Sequence, residues 1–498
     1  MEIKKMKKVV FLVFFITFLT KIFGFFRDIL LSYFYGASSV TDSYLISLTI
    51  PGTIFEFVGA AIATSFIPIY FTILNNQDGE AIVKKFVSNI LNCIIFFSVI
   101  LTIIIFLFTK PLVLMFASGF SGKTLADAIF FTRISALSLA FSGCIFVYNS
   151  LLQAKGKYHL AVIFALPSSL ITLILIILSY FSTYKIIGFI SLITIMVQLF
   201  LILLFSRKYI SSGWTLRIPY LGFNEKAMLK LSIPVFLGVS INQINVLVDR
   251  TLASNILSGG ISIINYSNKL MLFLHGSFVM IILTLIFPKI AKLAMEKNNQ
   301  NVSILINKML YIFIIILVPI VILLIINCES IIKLIYGRGA VNSEELKVIS
   351  TTFSIYLSSL LFLGLRELFL KVCYAYKNVK LSTYNSISSL LLNIILSLVF
   401  YKVFNLGLNG LALGTSLATI ISCITLMILV NKKVVKYFDI LVLKNYILFL
   451  LSFIFIFIIG ILINKFFNEY IFLYNIVLIT LFLIIFVFNY KKFNIKEL

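Results

Sequence analysis

The sequence is short of charge. Only 12% of its 498 residues are charged and 61% are hydrophobic, whereas soluble domains are about half apolar and a quarter charged. That balance excludes a string of soluble domains. Residues that build catalytic or metal centres are also scarce. The two histidines, His159 and His275, stand apart without HExxH spacing, and both are expected to be structural. No GxxxxGK[ST] loop occurs, so nucleotide hydrolysis is not expected of the chain. Five cysteines (Cys93, Cys144, Cys328, Cys373 and Cys423) form an odd set without paired spacing, which points to neither a disulfide framework nor a zinc site. No cofactor or metal is expected. No small-residue cleavage site follows the basic start and its apolar run, so that run is read as a first helix rather than a signal peptide.

What is present is a series of long apolar runs separated by short polar breaks, each able to supply the roughly 20 residues that a bilayer requires. Spans are expected near 9–35, 42–74, 84–108, 124–153, 158–182, 185–206, 226–256, 261–291, 302–326, 345–373, 380–402, 407–430, 445–464 and 470–490. The fold class is therefore an all-α integral membrane protein of about fourteen transmembrane helices. Alternate breaks sort by charge. With the N terminus inside, the inner segments hold 25 lysines and arginines and the outer ones 8, enough to orient the chain by the positive-inside rule with both termini cytoplasmic. This placement accounts for most of the net charge of +24 without nucleic acid; anionic inner-leaflet lipid suffices as a partner.

Two halves match at an offset of about 220 residues. Arg27-Asp28 falls on Asp249-Arg250, Pro68 near Pro288, FASGF at 116–120 on YGRGA at 336–340, and LLQAKGKY from 151 on KVCYAYKNVK from 371. Six spans precede the midpoint, so both repeats share one orientation, with a pseudo-two-fold axis along the membrane normal. The expected organisation is a six-helix bundle at 1–222, a second at 223–432, a central cavity between them, and an added helix pair with a cytoplasmic tail at 433–498.

Eight basic residues fall at membrane depth: Lys21, Arg27, Arg133, Lys230, Arg250, Lys269, Lys308 and Arg366. Charge there is costly unless paired or wet. Lys230 and Lys308 lie near inner ends and are read as snorkelling, and Arg366-Glu367 as a structural pair. Lys21, Gly24 and Asp28 share one face of the first helix, with Arg27 beside them; Asn242, Asn245 and Asp249 form the same stripe on the seventh, with Arg250 adjacent. These stripes are expected to face the cavity, where a cationic surface draws an anionic head group. The alternative is that they are ion pairs fixing the bundle. Glu56 reads as an isolated buried carboxylate and a possible proton site. Pro51, Pro234 and Pro319 fall inside spans and permit bending.

The run KIFGFFRDILLSYFYGASSVTDSYLISLTIP at 21–51, with SFIP ending at 68, resembles the opening of the MurJ (MviN) family of lipid II flippases, within the MOP exporter superfamily. FASGF at 116, FTRIS at 131, LLQAKGKY at 151, NVLVDRTLASNILSGGISIINYSNKLM at 245 and YGRGA at 336 resemble that family's landmarks in order. The resemblance implies fourteen helices, a cationic central cavity, a lipid groove at the last helix pair, residence in the bacterial cytoplasmic membrane, and a role in peptidoglycan synthesis. It implies substrate binding by Lys21, Arg27 and Arg250, with Asp28, Asp42 and Asp249 as cavity acids. One departure is plain: the family shows an arginine pair soon after the second-helix proline, and this chain reads Pro51-Gly-Thr-Ile-Phe-Glu56. The expected function is transport, not catalysis: flipping of a polyprenyl-pyrophosphate-linked peptidoglycan precursor to the outer leaflet by alternating access. The alternatives are a flippase for another lipid-linked oligosaccharide (capsule, exopolysaccharide or O-unit), a membrane glycan polymerase or ligase using outer-loop acids such as Asp127, Glu329, Glu344, Glu345 and Glu469, and a drug-cation antiporter, which a basic cavity disfavours.

Overall fold

A computed structural model describes residues 2–75, 78–210 and 214–437. The last two expected spans, and nearly all of 433–498, lie outside the described residues. The helices are α1 (Glu2–Tyr35), α2 (Ser39–Leu74), α3 (Gly79–Leu107), α4 (Thr109–Phe116), α5 (Gly122–Ala136), α6 (Leu139–Ala154), α7 (Tyr158–Ile163), α8 (Ala165–Phe181), α9 (Ile190–Phe205), α10 (Arg207–Ile210), α11 (Phe223–Ile256), α12 (Gly260–Leu274), α13 (Met280–Met295), α14 (Asn299–Ile326), α15 (Cys328–Tyr336), α16 (Ser343–Ser358), α17 (Leu360–Ala375), α18 (Val379–Lys402) and α19 (Gly407–Lys433). No strand occurs among the described residues. By length and apolar composition, nine helices among them could cross a membrane, or ten when α5 and α6, bent by 41°, count as one span. α1 and α11, 34 residues each, stand at the first and seventh expected spans.

The helix ends follow from local chemistry. α1 stops at Gly36, whose φ of +64° places it in the left-handed region while its amide bonds the Ser32 carbonyl at 3.0 Å. Ser38 then starts α2, its hydroxyl accepting the Thr41 amide. The repeat matched at 151 and 371 is the same helix stop made twice. After α6, Gly156 (φ +71°) turns the chain and the Lys157 amide bonds Leu152 O at 2.8 Å; after α17, Lys377 (φ +57°) does so and Asn378 bonds Cys373 O at 2.8 Å. Pro51 and Pro68 sit inside α2, Pro288 inside α13 and Pro319 inside α14; the Ser47 carbonyl that Pro51 leaves free accepts the Ser135 hydroxyl of α5 at 2.6 Å.

The chain divides into two compact units, the described parts of Met1–Ile263 with Arg338–Asn342, and of Ile264–Gly337 with Ser343–Leu498. In the first, Ile62, Phe66, Ile69 and Ile73 form one face of α2 against Val83, Phe86, Val87, Ile90 and Ile94 of α3 and Leu151 and Leu152 of α6. In the second, Leu305, Met309, Phe313 and Leu317 of α14 pack with Leu365, Leu368, Phe369 and Val372 of α17 and with Leu426 and Val430 of α19. The opposite face of α3 leaves Phe96, Ile103 and Leu107 exposed, as a lipid-facing surface does, so cohesion there rests on close packing rather than on burial from water.

α11 belongs to the first unit by its contacts. The connector before it lies extended along α3. The Trp214 indole donates to Asn92 Oδ1 (3.0 Å), the Thr215 amide to Ser88 Oγ (3.2 Å) and the Tyr220 amide to Asn89 Oδ1 (3.2 Å). Asn89 Nδ2 also donates to buried Glu225 at 2.7 Å. These bonds satisfy a polar stretch of chain that has no secondary structure of its own and fix where α11 starts.

Candidate substrate site

The charged residues singled out on α1, α2 and α11 all fall in the first unit. Asp28 is almost fully buried, and Arg27 grips one of its oxygens twice, through Nη2 at 2.9 Å and Nε at 3.2 Å. The Arg27 side chain keeps 26% of its surface exposed, so it is tethered by an acid and only partly covered. Six residues earlier, about 9 Å along the helix, Lys21 is exposed and has no ion-pair partner among the described residues. Between them, a Cβ added to Gly24 would meet nothing within 4 Å, and the same holds for Gly52 on α2.

On α11, Arg250 reaches across to α2, where Nη1 donates to the Leu45 carbonyl at 3.1 Å. It lies within electrostatic reach of Asp42, Asp249, Arg27 and Asp28. Five of the seven residues chosen from the sequence therefore form one charged group, with Lys21 and Glu56 apart from it. Buried Tyr44 lies within electrostatic reach of Arg27 and Asp28 and carries no signal of its own in the sequence, as a tyrosine in an apolar run. The side chain of Asn242 lies outside what the structure describes.

Two sequence expectations need correction, those for Glu56 and for Arg366-Glu367. Asp42, a cavity acid by the resemblance, lies within electrostatic reach of Arg250, and its buried carboxylate also accepts the Gly259 amide (2.8 Å), the Ser262 amide (2.7 Å) and the Ser262 hydroxyl. It thereby satisfies the orphan donors at the start of α12. Glu56 is neither isolated nor buried: it is exposed and accepts a hydrogen bond from Gln243 of α11. Arg366 and Glu367 form no ion pair among the described residues; Arg366 Nε donates to Asn385 Oδ1 and Ser422 Oγ, both at 3.0 Å.

The end of the first unit that carries Asp42 is tied by contacts that repeat at the internal offset. The FASGF turn sits on the end of α11: the Gly119 amide donates to Ser254 Oγ at 3.1 Å, and Asn255 donates to Ser118 Oγ at 2.6 Å. The YGRGA turn sits on the end of α1: the Ala340 amide donates to Tyr33 O at 2.9 Å. A Cβ on Gly119 would lie 2.1 Å from Ser254 O, and one on Gly339 2.2 Å from Tyr33 O. Each repeat's turn thus closes on the first helix of the other. Asp42 and Ser262, which bond one another, are themselves one offset apart. That spacing was available in the sequence and identifies Ser262, which sequence reading missed.

A family model described as Lipid II flippase MurJ matches residues 31–482. The chain belongs to the lipid II flippase MurJ family. A probable lipid II flippase MurJ of Buchnera aphidicola subsp. Baizongia pistaciae is 28% identical over 441 residues, covering 81% of this chain and 79% of that protein. One of Aquifex aeolicus is 26% identical over 415 residues, covering 80% and 79%. Among solved structures, a lipid II flippase MurJ in an inward closed conformation superposes with a TM-score of 0.81 at 25% identity, covering 97% of this chain and 99% of that one. A multidrug-resistance MATE transporter of the MOP superfamily in its inward-facing conformation shares the fold, with a TM-score of 0.68 at 15% identity over 82% of this chain and 93% of that one. This multi-pass membrane protein is therefore a transporter of the MurJ family, and lipid II flipping is the function that membership gives it, although the arginine pair after Pro51 is absent.

Proposed function

We propose that this chain carries lipid II across the cytoplasmic membrane by alternating access, holding the pyrophosphate with Lys21, Arg27 and Arg250. The observation that supports the reading is the partly exposed side chain of Arg27, which is paired with Asp28 and lies in a charged group shared with Arg250. A pyrophosphate carries more charge than the Asp28 carboxylate and offers more acceptor oxygens, so it competes well for both donors of Arg27. A charge-assisted bond of this kind contributes about 1.5–3 kcal/mol. Asp28 and Asp249 keep the cations oriented when no substrate is present.

Alternation needs an end that closes and reopens. The bonds of Asp42 to α12, with the two glycine turns, are proposed as the outer closure, the outer face being assigned from 25 basic residues inside against 8 outside. Both termini are then cytoplasmic, and the repeat supports bundles at 1–222 and 223–432, with the helix pair expected at 433–498 lying outside the repeat. Substrate reverses the two states only by binding one of them more tightly. Glu56, through its bond with Gln243, ties α2 to α11.

The test is reconstitution of the full chain in proteoliposomes with fluorescent lipid II on the inner-facing side. Movement of lipid II that falls at least tenfold in Arg27→Ala is expected. A wild-type chain that leaves lipid II in place but moves a lipid-linked capsule unit would overturn the reading in favour of another glycan.

A further inference from the structure

Outside the charged group on α1 and α11, the second unit holds a cavity of about 570 Å³ with a mixed polar and apolar lining. Its lining includes Asn299, Gln300 and Ser303 from the first turns of α14 and Lys432, Lys433 and Lys436 from the end of α19 and the residues after it. We propose that this cavity binds a phosphate-bearing lipid head group of the inner leaflet.

The lysines are held there by a defined piece of structure. After α19 the chain folds back, with the Val434 and Val435 amides both bonding Val430 O at 2.9 and 3.0 Å. Tyr437 locks the turn: its amide donates to Asn431 Oδ1 (2.9 Å), its hydroxyl to Met427 O (2.8 Å), and its carbonyl accepts from Asn307 (2.8 Å). Its ring is buried and lies 5.3 Å from that of Phe369. Lys436 is therefore fixed at the cavity rim opposite α14 rather than left on a free tail.

Among the described residues no carboxylate lines the cavity, and none of the three lysines has an ion-pair partner there. Glu296, the acid just before α14, is engaged by Lys292 at 3.9 Å. Three like charges facing the positive end of a 28-residue helix repel one another unless an anion sits between them. Hydroxyl and amide groups in the lining supply further hydrogen bonds. Ile304, also in the lining, is 47% exposed, which gives an acyl chain a surface beside the head group and favours a lipid over free phosphate. The lysines belong to the basic inner segments, where anionic lipid gathers.

Two inner-leaflet sources share this chemistry: bulk anionic phospholipid and a polyprenyl diphosphate. The experiment titrates the purified full chain separately with phosphatidylglycerol, a polyprenyl diphosphate and phosphatidylcholine. It compares wild type with the triple variant Lys432→Gln, Lys433→Gln and Lys436→Gln and with the matching triple arginine variant. Binding of one or both phosphate lipids, weakened at least tenfold by glutamine and retained by arginine, is expected, and the lipid affected names the source. Unchanged binding of both lipids in the glutamine variant would overturn the site. If that variant does not fold, Lys436→Gln alone is read the same way with a threefold threshold. The readout is binding, so it stands apart from flipping.

Discussion

The two ends of the first unit's charged region are built by opposite means. At the end assigned to the outer face, backbone meets backbone: Gly119, Gly259 and Gly339 leave no room for a Cβ, which would fall within 1.9–2.2 Å of a carbonyl oxygen. Deeper along α1 and α2, Gly24 and Gly52 face open space, Lys21 is exposed, and Arg27 is only partly covered. The close-packed end has one good arrangement and a small strain breaks it. The open stretch tolerates added atoms but depends on its charges. Glycine thus has two settings in one unit, close backbone contact at one level and open space at the other.

The largest expected effect breaks the closed end. Gly259→Val sets a branched side chain at φ +86°, with a Cβ 1.9 Å from Ala37 O, and flipping in proteoliposomes is expected to fall about 100-fold or more, since such overlap costs several kcal/mol. Gly24→Ala, with nothing within 4 Å of its Cβ, is expected to match wild type in membrane yield and melting temperature. Equal flipping by Gly259→Val and wild type would remove the closure from the account.

Removing charge from the open stretch comes next. Arg27→Ala and Arg250→Ala each forfeit a charge-assisted contact of about 1.5–3 kcal/mol, so lipid II affinity is expected to drop about 10- to 150-fold in each at unchanged melting temperature. A loss of fold instead would make them bundle ion pairs. A smaller effect is expected of Asp42→Asn, which keeps an acceptor for the Gly259 or Ser262 amide but loses the charge; about 1–2 kcal/mol corresponds to a fall of roughly 5- to 30-fold in flipping. Smallest is Gln243→Ala. Glu56 is exposed, so losing its partner is expected to slow flipping about threefold, and a change above tenfold would give that contact a larger part than the account allows.

Much of this comparison was legible in the sequence. The helices stand where the first twelve apolar runs placed them, because 20 apolar residues at a stretch leave the backbone no partner except itself. The charged group was legible because Arg27, Asp28, Asp249 and Arg250 are anomalies in apolar surroundings. What sequence reading lost was the partner of each group. Glu56 was read as isolated and Arg366 was paired with its neighbour along the chain, whereas their bonds go to Gln243, Asn385 and Ser422 on other helices. The hydrogen-bond partners of Asp42 were illegible for a related reason: they are mostly backbone amides, freed only because α12 begins at Gly260. The exception is instructive, since the repeat offset that pairs Asp42 with Ser262 could have been applied to every polar residue.

The most direct measurement is rescue of a bacterium depleted of its own lipid II flippase by the wild-type chain, Arg27→Ala and Arg250→Ala at matched membrane levels. The account predicts growth and normal shape with wild type and lysis with both variants. Full rescue by either variant would contradict the claim that these cations hold the pyrophosphate of lipid II.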